Sequence, residues 1–228
     1  MADAYAATKN IRLSHGVAHP KVDPAHAAKI AQAYDAMKHD PNHPEVKKAY
    51  GALIKETLDQ LNTLHDHGYK FSKIAPDQSN PYATSRDLHD DVRGNKHLWY
   101  YPTSLGAGNE GDVENNTNPL VTTQVKTKSG VVMPANDAFR IVHDAFGHAK
   151  EGTSFGPNGE EAAWRDHMQM FSPDAQKALT SETRGQNSYV NFGPNADRNR
   201  KNPAQTIYAT QKTGIMPDWT RSPAKKAI

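Results

Sequence analysis

"FRIVHDAFGH", residues 139–148, sets two histidines five apart inside an apolar run. Phe139, Ile141, Val142, Ala145 and Phe146 recur at spacings that bury one side of a helix. His143, Asp144 and His148 place three polar groups in the same segment. On a regular α-helix, residues five apart lie about 140° apart around the axis, against about 40° for the i, i+4 pair that usually grips a metal. The two imidazoles therefore meet only if the helix is broken between them. Gly147, next to His148, is where the spacing predicts that break, with one helix over about 137–147 capped by Asn136 or Asp137.

A third ligand has to come from another element, and two places offer a carboxylate. Glu160 and Glu161 open the next predicted helix, about 159–171, where acids also simply favour the helix dipole. Glu182 lies in the last turn of the helix after that, where the dipole disfavours an acid and implies a compensating cation, either Arg184 or a metal. Two neutral imidazoles with one carboxylate make the facial set of non-haem Fe(II) sites; Zn(II) and Mn(II) accept the same ligands.

The rest of the chain narrows the field. It has 228 residues, no cysteine, and 27 Lys and Arg against 25 Asp and Glu. Thiolate chemistry and disulfides are excluded, so any metal ligand is His, Asp or Glu. The near-neutral balance gives no strong case for nucleic acid. The start "MADAYAATKN" lacks the apolar core of a signal peptide, and no apolar run reaches membrane-span length, so a cytoplasmic location is expected. A mean hydropathy of −0.82 predicts long polar loops round a modest core.

Residues 1–22 show no periodicity and read as an arm, with 23–228 as a single domain. Asp23 with Pro24, and Pro44, mark two helix starts, and Val46, Tyr50, Leu53, Leu58, Leu61 and Leu64 form a helical stripe stopped by Gly68. Residues 23–68 are expected to form a helical hairpin. "KHLWYYPT" reads as a short strand or buried edge, "SLGAGNEGDVENNTNP" as a 16-residue loop of a length that implies function or mobility, and "LVTTQVKTKSGVVMP" as a β-hairpin turning near Ser129 and Gly130. Ser172 and Pro173 start a helix that Gly185 should end, and the remainder reads as irregular. The fold class is thus mainly α (α+β), an irregular helical domain with a small β-hairpin. "ETRGQNSYVNFGP" gathers Arg184, Gln186, Asn187, Tyr189 and Asn191, whose amide, guanidinium and phenol groups suit orientation of a small polar substrate.

Over residues 118–190 the chain resembles the catalytic core of the pterin-dependent aromatic amino acid hydroxylases. "HDAFGH" is similar to their His-Glu-x-x-Gly-His segment, with Asp144 at the Glu position. "VTTQVKTKSGVVMPANDAFR" is similar to the strand pair before it, "GEEAAW" falls at their Gln-Glu helix, and "SPDAQKALTSETRG" looks like the helix that carries their iron-binding glutamate. The resemblance implies metal ligands His143, His148 and Glu182, with Asp144 and Glu161 orienting the histidines or Glu161 as the alternative ligand. It implies Fe(II) and O2; the reductant is left open, with a pterin as one candidate, and the substrate is expected to be small or nucleotide-like. The Trp-Phe-Thr-Val preceding the family's glutamate is absent here. The block from "FRIVHDAFGHAKEG" to "ETRGQNSYVNFGP" also resembles a domain of bacteriophage polyvalent proteins, which would place the chain in a host cytoplasm. "HDAFGH" is similar as well to the His-Asp pair of HD-type metal-dependent phosphohydrolases, with "LHDD" round His89 as the further ligand source. A non-enzymatic phage structural or host-interaction protein, with structural histidines, is the third reading.

Overall fold

A computed structural model describes residues 1–105 and 117–222. The bulk of the predicted 16-residue loop and the basic end after Ser222 lie outside the described residues. The fold is mainly helical, with two small two-stranded sheets.

The helix starts read from the sequence are built as capping chemistry requires. α2 (Pro24–Ala36) has Asp23 Oδ1 accepting from the Ala25 and His26 amides at 2.9 and 3.1 Å. α3 (Pro44–Asp66) buries Val46, Tyr50, Leu53, Leu61 and Leu64, and Gly68 turns the chain out at φ +83°. The two helices do not form a hairpin with each other. α2 packs mainly on α9 (Gln186–Phe192), while α3 packs on α6 (Ala135–His143) and α8 (Pro173–Thr180). Their apolar stripes are matched by later segments in two clusters: α3 belongs to the main core, while Ile30, Tyr34 and Met37 form a smaller one with Ala209 and Met216. The N-terminal stretch is not wholly an arm either: α1 (Ala2–Thr8) buries Tyr5 and Ala6. Seven residues are too few to show a period.

β1 (Lys70–Lys73) pairs in parallel with β2 (His97–Tyr100), with Ser72 opposite Trp99 and Lys70 opposite His97. α4 (Ser85–Asp90) makes the crossover, started by a capping box between Thr84 and Asp87. After α5 (Pro119–Thr122), the predicted hairpin is present as β3 (Gln124–Lys126) and β4 (Val132–Pro134), antiparallel, with Val125 opposite Met133. α6 follows directly. Its expected caps do other work: Asp137 accepts from the Thr103 amide at 2.7 Å, and Asn136 donates to the Thr103 hydroxyl at 3.0 Å.

α6 does not end at Gly147. It runs on as a π-helical turn, Asp144–Ala149, before α7 (Pro157–Met168). α8 likewise continues through a π-helical turn, Ser181–Gly185, into α9, and α10 (Ala196–Lys201) follows. Gly185 is therefore not a stop. A Cβ there would come within 2.6 Å of the Tyr34 ring and 2.8 Å of Met216, so the glycine lets α2 and the C-terminal segment close on the helix. No helix among the described residues is long and apolar enough to cross a membrane.

Candidate metal centre

In a π-helical turn the backbone repeat is about i to i+5. The five-residue spacing that would point two histidines apart on an α-helix therefore stacks them on one face. His143 closes α6 and His148 lies in the turn, with ring centroids 5.2 Å apart at 88°. The extra residue in the turn, rather than a break, brings them together.

The carboxylate that joins them is Glu160, in the first turn of α7. His143, His148 and Glu160 each offer a ligand atom, and these atoms all lie within 4.8 Å of one another. His148 Nε2 is 3.6 Å from Glu160 Oε2, which also accepts from Asn187 Nδ2 at 3.0 Å. Gly159 makes this placement feasible, since a Cβ there would lie 1.8 Å from the Ser154 carbonyl oxygen. Without a side chain at 159, the 150–156 segment folds tightly over the start of α7 and sets Glu160 in front of His148.

The hydrogen bonds behind the histidines fix which nitrogen faces the site. Gln60 donates from Nε2 to the Met170 carbonyl at 3.4 Å, so its Oε1 accepts from His167 Nε2 at 2.8 Å. His167 Nδ1 is then a bare acceptor, and His143 Nδ1 donates to it at 3.2 Å. That leaves the lone pair of His143 on Nε2. The Thr153 hydroxyl donates to the Gly147 carbonyl at 3.1 Å, so its oxygen accepts from His148 Nδ1 at 3.2 Å. His148 thereby turns its Nε2 to Glu160. Outer partners of this kind orient metal-binding imidazoles.

The electrostatics differ between the two histidines. Burial, reinforced by the neighbouring His148 and His167 rings, holds His143 well below the ordinary histidine pKa. Burial and the His148 charge take His167 down to about 3. Both are neutral donors near pH 7. At His148 burial lowers the pKa, but the hydrogen bond and charge of Glu160, with the charge of Asp144, outweigh it and leave it raised. A positive charge is thus welcome at the edge of this ring. Burial pushes Asp144 up to about 6, with Glu160 adding to the rise and His148 and Arg140 opposing it.

The other expected site residues are placed elsewhere. Glu182 accepts from Tyr50 Oη at 2.5 Å, Asn118 Nδ2 at 2.9 Å and Gln186 Nε2 at 3.0 Å, so its carboxylate is held by neutral donors and not by the histidines. Glu161 faces away from the site. It takes a bidentate pair from Arg184, at 2.8 and 2.6 Å, and a third contact from Arg165 at 3.0 Å. Neither Glu161 nor Asp144 is the Nδ1 acceptor of a histidine; those roles belong to His167 and Thr153. Arg184 is spent on Glu161, on the Thr220 and Ser222 carbonyls, and on the Trp164 ring 4.1 Å away. Gln186 serves Glu182 and Gln211, Tyr189 packs near Tyr34, and Asn191 donates to the Asn187 carbonyl. Of the five expected substrate contacts, Asn187 alone bonds a member of the His143–His148–Glu160 group. The space bounded by Glu160, Asn187, Arg184 and Val22 holds only about 10 Å³, roughly one water.

The chain matches no protein-family model, no curated protein and no solved structure. Its site therefore stands on its own geometry: a His-His-Glu group, with His148 buried and the other two half-buried, that could hold a metal ion.

Gly147 tests how tightly that geometry is set. A Cβ there would lie 3.1 Å from the Ala163 carbonyl oxygen and 3.2 Å from His143 Nδ1 and Cε1. The backbone of α7 cannot yield easily, so the imidazole moves and its bond to His167 is lost. Gly147→Ala is expected to weaken metal binding on the order of 10-fold, as loss of an outer partner does. It should cost about 1–3 kcal/mol of stability, measured by calorimetric titration and chemical denaturation.

Proposed function

We propose that the chain is a mononuclear non-haem Fe(II) oxygenase acting on a small substrate, with His143, His148 and Glu160 as the metal ligands. The observation that carries this reading is the donor set: two imidazoles brought together where α6 passes into its π-helical turn, each held from behind through Nδ1, and one carboxylate from the first turn of α7. Fe(II) held there would supply a centre for O2 and for electron transfer to it. The chain's own part is to turn both Nε2 atoms to one site, to supply one negative charge from Glu160, and to shield the donors with Phe139 and Phe155, whose rings lie 5.9 Å from His143 and 5.1 Å from His148. A groove of about 500 Å³ between residues 16–21 and 151–154 reaches Thr153, and its size suits a small molecule.

The expected result is one equivalent of Fe(II) bound anaerobically, followed by O2 consumption when a tetrahydropterin or ascorbate is added. Metal binding with no O2 uptake under any reductant would remove the oxygenase reading. One observation favours a second reading, metal-dependent hydrolysis of a phosphate ester: Asp144, raised to about 6, suits proton transfer near neutral pH. Turnover of p-nitrophenyl phosphate with Mn(II) or Zn(II), lost in Asp144→Asn, separates the two.

A further inference from the structure

The outer face of the β1–β2 pair carries a second constellation, remote in kind from the metal ligands. Strand alternation puts Leu98 and Tyr100 into the core and Lys70, Ser72, His97 and Trp99 on the opposite face. There the Ser72 hydroxyl lies 2.9 Å from His97 Nε2, and His97 Nδ1 lies 2.8 Å from Asp91 Oδ2. Asp91 belongs to a π-helical turn, Asp91–Asn95, that follows α4 and leads into β2. Its carboxylate is fixed by two more donors, Tyr82 Oη at 2.7 Å and Asn95 Nδ2 at 2.8 Å. Burial by itself would raise the Asp91 pKa, but the bonds from Asn95, His97 and Tyr82 outweigh it and keep the group charged.

A charged Asp91 accepts the Nδ1 proton of His97, so Nε2 is the lone pair that faces Ser72. Nucleophile, base and orienting acid thus stand in hydrogen-bonded sequence, the relation that defines a serine triad wherever it occurs. The site is accessible. Ser72 and Trp99 are half-buried, and 22% of the His97 side chain is exposed. The Trp99 ring packs edge-on to His97 at 5.3 Å and offers an apolar wall, while exposed Lys70 puts a cation on the same face.

We propose that Ser72 is a nucleophile activated by His97 and Asp91, and that this face cleaves small carboxylic esters with an apolar or aromatic part. In the first step Ser72 Oγ bonds to the carbonyl carbon while its proton passes to His97 Nε2. The ester C–O bond then breaks, and the alcohol leaves with that proton. Water adds to the acyl-serine in the same way, giving up a proton to His97, and the acid departs as Ser72 Oγ recovers it. The sum is ester and water to acid and alcohol. The site needs no metal and does not depend on the oxygenase reading.

The test uses the full chain in EDTA with a fluorophosphonate probe, which bonds phosphorus to a reactive serine oxygen and releases fluoride. Digestion before aspartates isolates the peptide 66–76, in which Ser72 is the sole serine. The expected result is a Ser72 adduct formed at least about 100-fold faster than adducts at exposed serines, the scale of general-base assistance. It should slow by a similar factor in His97→Gln and Asp91→Asn, with p-nitrophenyl acetate hydrolysis falling in Ser72→Ala. Because the rate in the unaltered chain is itself decisive, a variant that fails to fold does not weaken the test. A Ser72 rate equal to that of other serines, or one unchanged in folded His97→Gln, would overturn the proposal.

Discussion

His143→Ala, His148→Ala and Glu160→Ala are each expected to lose the single Fe(II) equivalent, with affinity falling by more than about 100-fold. Even the outer partners of a metal site are commonly worth about 10–100-fold, and under the proposed function these three would be the direct donors. The same titration discriminates among the carboxylates. Glu182→Gln should bind as the unaltered chain does, because Glu182 is committed to Tyr50, Asn118 and Gln186. Glu161→Gln should also bind, since its partners are Arg184 and Arg165. Thr153→Val should fall between, about 10-fold weaker, because it removes the acceptor that sets the His148 tautomer. Anaerobic calorimetry on chelator-treated protein reads all six variants. Loss of binding in Glu182→Gln with retention in Glu160→Ala would reverse the assignment.

Glu161→Ala is expected to act on stability instead. Arg184 is 3% exposed, forked on Glu161 and stacked on Trp164, itself buried. Removing the acid leaves a guanidinium in the interior without its counter-charge, a change that typically costs about 3–5 kcal/mol. For a chain of this size that lowers Tm on the order of 10 °C. Replacing both partners, Glu161→Leu with Arg184→Met, should recover much of the loss, because two apolar side chains leave no charge stranded. Thermal melts of the single and double variants measure the difference. A double variant no more stable than Glu161→Ala would mean that the Arg184 bonds to the Thr220 and Ser222 carbonyls, rather than the ion pair, carry the cost.

Much of the frame was legible from residue chemistry. Asp23 with Pro24, Ser172 with Pro173, the α3 stripe and the hairpin before α6 each follow from short-range rules, and each is present. The π-helical turns were not legible. A periodicity argument assumes 3.6 residues per turn, so one extra residue inside a helix looks the same as its end. That is why Gly147 and Gly185 read as stops, when both are points of close approach. The histidine pair was visible and Glu160 stood among the candidate acids, but the choice among them was not legible, since adjacent acids on a helix face different neighbours. One signal was available: Glu161 and Arg165 stand at i, i+4 and form an ion pair at 3.0 Å, which commits Glu161 and leaves Glu160 for the site. His167 and Gln60 lie 107 residues apart and could be joined to His143 only by the packing of α3 on α6 and α7 beside them. Ser72, His97 and Asp91 were hidden likewise, because a parallel pairing with a helical crossover leaves no local trace.

The most direct test of the account is anomalous diffraction from crystals grown with Zn(II), a redox-silent stand-in for Fe(II). One peak is expected, about 2.0–2.2 Å from His143 Nε2, His148 Nε2 and a Glu160 carboxylate oxygen. A peak bound by Glu182 or Glu161, or none within reach of the two histidines, would contradict it.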